Sequence, residues 1–98
     1  MRKLLIRPQA RVDLLEIWHF IAKDDPGAAN RVSERIEEAI RGLVVMPGKG
    51  HTRADVRAPQ YRFWSVYSYV IAFRYDDETL TVVRVVHGAR NFRTLFRK

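Results

Sequence analysis

The sequence predicts an α+β fold in the order β-α-α-β-β-β, followed by a short C-terminal helix. Two observations lead to this prediction. Residues 69–75 and 80–86 show the period of two that β-strands have, with at least one fully apolar face, and residues 8–43 carry apolar residues at helical spacing. Two helices joined by a tight link form an antiparallel hairpin, whose apolar stripes must be buried against another layer. We therefore expect the helix hairpin to pack on one face of a mainly antiparallel sheet.

The first two elements are a short strand and a helix that follows it directly. The strand covers Lys3–Arg7, and Pro8 suits the first turn of a helix, where its missing N–H costs nothing. The helix runs to about Ala22. Its apolar stripe at i, i+3, i+4 and i+7 consists of Leu14, Ile17, Trp18 and Ile21, with Val12, Leu15 and Phe20 widening the apolar arc. Trp18 is either a core residue or an exposed contact for a partner. Because large aromatic residues usually anchor cores, we expect it to lie in the core.

A tight link, Asp24–Gly27, separates the first helix from the second. Asp25 is a favourable N-cap residue, and Pro26 follows it at the first helical position. One face of the second helix is apolar and carries Val32, Ile36, Ala39, Ile40 and Leu43. The opposite face mixes positive and negative side chains, which is typical of a solvated helix surface.

Three strands follow an irregular stretch at residues 47–60, of a length that often marks function or mobility. In the hairpin that ends this region, Asp76–Glu78 form the predicted turn. Before the turn, Tyr69, Ile71, Phe73 and Tyr75 alternate with Val70, Ala72 and Arg74. After it, Leu80, Val82, Arg84 and Val86 alternate with Thr81, Val83 and Val85. This pattern predicts at least one fully apolar face.

The C-terminal segment has the pattern of a small amphipathic helix. Phe92, Leu95 and Phe96 share one side, and Arg90, Arg93 and Arg97 share another. Two interpretations are equally weighted at this point: a basic ridge beside an anion site, or a frayed terminal helix with solvated arginines.

Length and composition bound the class of protein. A chain of 98 residues predicts a single domain over residues 1–98. The sequence has no cysteine, which excludes disulfides and thiolate metal sites and is consistent with a reducing cytoplasm. No apolar run approaches the ~20 residues of a membrane span, and the N-terminus lacks the apolar segment of a signal peptide. We expect no membrane association, no metal and no cofactor.

Positive charge is concentrated in the second half of the chain. Of the formal net charge of +7, residues 47–98 carry +6, from 10 Lys/Arg against 4 Asp/Glu. Such a basic half favours an anionic partner, either nucleic acid or an acidic protein segment, although a basic surface that serves only solubility has the same composition.

Two segments of this half, RFWSVYSYVIAFRY and VVRVVHGARNF, resemble the toxin signature of the RelE/ParE superfamily of bacterial type II toxin–antitoxin modules. The likeness is closer to the ParE (plasmid stabilisation) branch. Residues 47–55, PGKGHTRAD, resemble the Gly-rich linker with an Arg-Asp step that this branch has. The two predicted helices fit as well, so the resemblance covers nearly the whole chain.

The two branches imply different activities. RelE-like members cut messenger RNA in the ribosome, and the candidate catalytic residues for such a ribonuclease are His87, Arg90, Arg62 and Arg84, with His51 as a further histidine. The sequence departs from that branch at two places. No lysine follows Lys49 before the second strand, and the nearest match to a functional tyrosine of RelE is Phe96, which has no hydroxyl.

ParE-like members have no known hydrolytic chemistry and resemble binders that poison DNA gyrase. On this reading His87 is structural, with a hydrogen bond to neighbouring backbone. The predicted partners are a cognate antitoxin with a partly disordered acidic tail, and DNA gyrase. Residues predicted to bind target or antitoxin are Arg53, Arg62, Arg84, His87, Arg90 and Arg93. No catalytic residue is assigned.

Two further alternatives remain open. One is a degenerate toxin that only binds its antitoxin. The other is a basic nucleic-acid-binding domain with contacts to nucleic acid or ribosome. Trp64, Tyr67 and Tyr69 are able to stack on bases, but their position in strands favours packing.

Overall fold

The structure is a computed structural model that describes residues 1–96. Its elements are β1 (Lys3–Ile6), α1 (Pro8–Ala22), α2 (Pro26–Val45), β2 (Arg62–Val66), β3 (Tyr69–Tyr75), β4 (Thr79–His87) and α3 (Phe92–Leu95), with a 3₁₀ turn at Pro47–Lys49. The sheet order is β1-β4-β3-β2, in which β1 is parallel to β4 and the other neighbours are antiparallel. The predicted fold class is confirmed. Arg97 of the predicted basic ridge lies outside the described residues.

The two long helices begin where the sequence predicts. Each has a proline in its first turn, and the Asp25 side chain caps α2 by accepting a hydrogen bond from the Ala28 N–H at 3.0 Å. None of the helices within residues 1–96 has the length and apolar character needed to span a membrane.

The main core lies between the helix hairpin and one face of the sheet. Its buried residues are Ala10 and Ile17 of α1, Ile36, Ile40, Leu43 and Val44 of α2, and Val66, Ile71, Phe73, Leu80, Val82 and Val85 of the sheet. Both helices therefore contribute to one layer, which fits the predicted packing on a single face.

A second core covers the opposite face of the sheet. It buries Val56, Ala58, Phe63, Val70, Ala72, Val86, Phe92 and Phe96. Because Val70 and Ala72 alternate with Ile71 and Phe73 along β3, the two cores lie on opposite faces. Phe92 is 1% exposed and Phe96 is 7% exposed, and both rings contact Phe63 with centroid separations of 5.8 and 5.5 Å. Aromatic packing thus anchors α3 to the sheet.

A β-bulge breaks the alternation predicted for β4. Ala72 pairs with Arg84 while the next residue, Phe73, pairs with Val82, so Val83 is an extra residue. Strict alternation would place Val82 and Val86 on the same face. They lie instead in the main core and the second core, respectively, so the alternation predicted beyond Val82 is wrong.

Trp18 does not lie in the main core, so that prediction is also wrong. Its ring is half-buried, and its indole Nε1–H donates a hydrogen bond to Asn30 Oδ1 at 2.9 Å. Asn30 belongs to the first turns of α2, so the indole ties the two helices together at their linked ends. The polar N–H explains this peripheral position, because it needs a partner that an apolar core lacks.

Candidate functional site

The C-terminal part of β4, after Val82, has an edge without a neighbouring strand, and a carboxylate from α1 covers it. β1 pairs with β4 only as far as Val82, so the following residues have no strand on that side. Asp13 of α1 occupies this position. Its carboxylate accepts from Arg84 Nε at 2.8 Å, from Arg84 Nη2 at 3.0 Å and from the Val85 backbone N–H at 3.0 Å. A single side chain therefore both pairs with the arginine and caps the strand edge.

This ion pair is largely removed from solvent. The Asp13 side chain is 6% exposed and that of Arg84 is 19% exposed. The hydrogen bonds that Arg84 donates to Asp13 raise the pKa of Arg84 above its ordinary value. Arg84, a predicted binding residue, thus has a partner inside the fold. Sequence reasoning missed Asp13, although a carboxylate between Ala10 and Ile17 on an otherwise buried helix face is a recognisable signal for a buried partner.

His87 and Arg90 lie at the end of β4, in a turn that the imidazole helps to hold. His87 Nδ1 accepts a hydrogen bond from the Ala89 N–H at 3.0 Å, and the His87 carbonyl accepts from the Arg90 N–H at 3.0 Å. The Tyr69 ring packs edge-on against the imidazole with centroids 5.7 Å apart. A neutral histidine that accepts through Nδ1 carries its proton on Nε2. The predicted hydrogen bond between His87 and neighbouring backbone is present, and the structural role of this residue stays a prediction.

A groove of about 250 Å³ runs between α1 and the ends of β3 and β4; we call it the α1–β4 groove. It is lined by Asp13, Glu16, Ile17, Phe20, Tyr69, Val85, Val86, His87 and Arg90. Phe20 is 70% exposed, so the groove offers a large apolar ring, and Arg90 adds a positive charge to a lining that also holds Glu16. This combination suits a protein segment with apolar and charged side chains.

Arg53 holds the irregular stretch of residues 47–60 onto the second core. Its guanidinium makes two hydrogen bonds of 2.9 Å to the Asp55 carboxylate and lies 3.9 Å from the centroid of the Phe92 ring. The hydrogen bonds lower the pKa of Asp55 and raise that of Arg53, and the positive charge of Arg93 contributes to the lowering. Arg53 and Arg93 therefore lie near α3, on the face opposite the helix hairpin.

Arg62 lies at the other end of the sheet from His87. With Arg74, Thr79 and Thr81 it helps to line a groove of about 620 Å³. Arg62 is opposite Phe73 on β3, whereas His87 is opposite Tyr69, four residues away, which corresponds to ~13 Å along the strand.

His51 is distant from His87 as well. It forms a bridge to Phe63 on the outer edge of β2, so three inter-strand spacings, or ~14 Å, separate it from β4. The structure thus brings together His87, Arg90 and the Asp13–Arg84 pair, but it does not bring Arg62 or His51 to them. Phe96, the nearest match to the RelE tyrosine, is buried in the second core. Among residues 1–96 no three His, Asp or Glu side chains converge as metal ligands would.

Two comparisons with known proteins found a match. The sequence matches the family model described as the ParE toxin of type II toxin-antitoxin system, parDE, over residues 4–92. Among solved structures the chain is similar to the chromosomal ParDE TA system from P. aeruginosa, with a TM-score of 0.73 and 21% sequence identity, covering 89% of this chain and 96% of that chain. At this identity the structural likeness concerns the fold. A search of curated proteins found no match.

Proposed function

The chain belongs to the family of ParE toxins of type II toxin–antitoxin systems, and from this premise we propose that it arrests growth by binding DNA gyrase, with a cognate antitoxin neutralising it. We favour a binding protein over a nuclease because the candidate catalytic residues do not all lie together. Cleavage of RNA needs an acid, a base and cations around one phosphate. Here Arg84 is paired with Asp13, and Arg62 and His51 are each more than ~10 Å from His87.

Positive charge and apolar surface support a binding role. Arg90 and Arg93 are exposed, in the turn after β4 and on α3 respectively, and Phe20 lines the α1–β4 groove together with Arg90. Gyrase with its DNA, or an acidic antitoxin tail, offers the complementary charge. Arg53, Arg62 and Arg84 stay predictions as binding residues. Of these, Arg62 has neither a hydrogen bond nor a salt bridge to another side chain within residues 1–96.

The proposal is tested with purified gyrase and relaxed plasmid. We expect the chain to inhibit supercoiling and to increase the amount of cleaved DNA, and Arg90→Ala to weaken both effects. Arg31→Ala on α2 is the matched control, because Arg31 is exposed and lies 4.0 Å from Asp25. If supercoiling proceeds normally at saturating toxin, while the chain still stops growth in bacteria, gyrase is not the target.

Binding of the antitoxin is tested separately by calorimetry. An ion pair that is lost from a partly buried interface costs ~2–5 kcal/mol, whereas an exposed rim pair costs less than about 1 kcal/mol. We expect Arg62→Glu to weaken antitoxin binding more than Arg31→Glu does. Equal affinities would remove Arg62 from the interface. A variant of Arg84 is unsuitable here, because it would break the pair with Asp13.

The alternative function, ribosome-dependent cleavage of messenger RNA, predicts a different effect of replacing His87. A catalytic acid or base contributes ~10²–10⁴-fold to the rate, so His87→Ala would abolish discrete cuts in ribosome-bound message. We expect primer extension to show no such cuts with the unaltered chain. Cuts that disappear in His87→Ala would replace the gyrase proposal with a ribonuclease.

A further inference from the structure

The tip of the β2–β3 hairpin holds a tyrosine in a backbone conformation that favours glycine. Tyr67 has φ of 55° and is the only non-glycine residue with positive φ within the described part of the chain. Its side chain is 64% exposed, so packing inside the fold does not account for the residue. The two-residue loop between Val66 and Tyr69 requires the positive φ, but it does not require a large exposed ring, which costs backbone strain at that position. A ring kept there despite the strain is a candidate contact with another molecule.

Cationic side chains accompany the aromatic residues at this tip. The Arg35 guanidinium of α2 lies 6.0 Å from the centroid of the Tyr67 ring, and Lys49 Nζ lies 4.9 Å from that of Trp64. His51 stacks on Trp64 with a centroid separation of 5.9 Å and an interplanar angle of 14°. Two cations and three rings thus lie along one edge of the sheet.

Four of these side chains line an open groove of about 460 Å³ between α2 and β2, which we call the hairpin-tip groove. Arg35, Lys49, Trp64 and Tyr67 line it together with Glu38. It lies on the β2 side of the sheet, whereas the α1–β4 groove adjoins β4 and α1. The two grooves are separate surfaces.

We propose that the hairpin-tip groove binds single-stranded nucleic acid, with an unpaired base stacked on Tyr67 and adjacent phosphates bound by Arg35 and Lys49. Proteins that bind single strands combine a basic groove with aromatic rings, because every base has a face that stacks and every linkage has a charge. An exposed ring accepts only an unpaired base, so a duplex lacks the stacking contact. This inference is independent of the gyrase proposal.

Glu38 provides a second test of the proposed phosphate contacts. Its carboxylate lines the same groove and repels phosphate, so it limits affinity. Glu38→Gln removes the charge with little change in shape. We expect this variant to bind single strands more tightly than the unaltered chain.

The test is fluorescence anisotropy with labelled oligothymidine and oligouridine of about 12 nucleotides, against a duplex of equal length. Comparing the affinities for oligothymidine and oligouridine shows whether the groove prefers DNA or RNA. We expect Tyr67→Asn, which suits the left-handed conformation, to weaken single-strand binding about 5- to 150-fold. Leu15→Ala removes another large exposed apolar side chain, on α1 and away from this groove, and should leave binding unchanged.

The charge contribution has its own matched pair. Each phosphate contact adds roughly 0.7 to the slope of log affinity against log salt for a single strand. Lys49→Ala should therefore reduce the slope by about 0.7. Lys3→Ala, an exposed lysine on β1 at the opposite edge of the sheet, should leave it unchanged.

Three results would overturn the inference. One is the absence of single-strand binding at low salt. Another is equal affinity for single strand and duplex together with no effect of Tyr67→Asn, which indicates general attraction to a basic protein. The third is a Tyr67→Asn variant that keeps its affinity for both oligonucleotides but loses growth arrest, which assigns the ring to a protein contact.

Discussion

Replacing Asp13 with alanine tests whether one carboxylate joins the helix hairpin to the sheet. The variant leaves the Arg84 guanidinium without its two hydrogen bonds and the Val85 N–H without an acceptor. It also removes a weaker bond of 3.4 Å from Gln9 Nε2. The Asp13 side chain is 6% exposed, so its hydrogen-bond donors are shielded from water. Water therefore does not readily replace the carboxylate in the variant. We expect a large loss of stability.

Its size follows from these contacts. Removing one partner of a buried ion pair costs about 3–5 kcal/mol, mostly because the other charge is left uncompensated. An unsatisfied buried N–H costs about 1–3 kcal/mol. The two contributions overlap, since both arise from the same oxygen atoms, so we expect about 3–5 kcal/mol in total. For a chain of this length about 4–8 °C of melting temperature corresponds to each kcal/mol, giving a decrease of roughly 12–40 °C.

Urea unfolding followed by circular dichroism measures this change. Glu16→Ala is the matched control, because Glu16 is an exposed carboxylate on the same helix and should cost less than about 0.5 kcal/mol. Asp13→Leu combined with Arg84→Met replaces both charges and should recover much of the loss. If Asp13→Ala and Glu16→Ala have the same unfolding free energy, the ion pair does not hold α1 to β4.

Three further predictions concern stability. Gly50→Ala should cost about 1–3 kcal/mol of stability, because the new Cβ would lie 2.5 Å from Cζ of the fully buried Phe73. Gly48→Ala is the control and should be neutral, because its nearest contact would be at 4.0 Å. Equal urea midpoints for the two variants would contradict this. Tyr67→Asn should raise the unfolding free energy by about 1 kcal/mol, since asparagine tolerates positive φ, and a decrease would show that the tyrosine packs usefully. The lowered pKa of Asp55 means that its ion pair stabilises the fold above the unfolded-state pKa of about 4 and stops doing so as pH falls through the folded-state value. Unfolding at a series of pH values should therefore show Asp55→Asn less stable at neutral pH and level with the unaltered chain in acid; a constant difference would exclude the linkage.

Local signals were sufficient to predict most of the fold. Pro8, Asp25 and Pro26 mark helix starts through backbone chemistry that does not depend on tertiary contacts, and all three do so in the structure. Asp76 does the same for the β3–β4 turn, where its carboxylate accepts from the Glu78 and Thr79 N–H groups at 2.8 and 2.9 Å.

Features that depend on tertiary contacts were not predictable in this way. The bulge at Val83 changes which face each later residue of β4 occupies, yet every residue from Leu80 to Val86 except Arg84 and Thr81 is a plausible apolar strand residue. Nothing local marks where the extra residue sits. Trp18 fits the apolar stripe of α1 as well as Ile17 does, and only the position of Asn30 on the neighbouring helix distinguishes them.

In the candidate site, too, the residue types were predictable from the sequence, but their relative positions were not. Arginines and histidines in the basic half were identifiable as residues, and the backbone contact of His87 was anticipated. Their relative positions depend on strand register, which places Arg62 and His87 at opposite ends of β3. The role of Asp13 depends on β1 stopping at Ile6, which exposes an edge that a carboxylate from α1 then caps.

Pairing of β1 with β4 also has a kinetic consequence. Lys3 lies opposite Thr79, a separation of 76 residues, whereas β2, β3 and β4 are joined by two short hairpins. Closing such a long loop costs chain entropy before its few hydrogen bonds form, so we expect the hairpins to assemble first and β1 to dock late. The same strand has four residues and is mostly exposed. Its amide protons should therefore exchange through local opening, well before those of β3, which makes the N-terminal strand the part of the sheet that can detach while the rest stays folded.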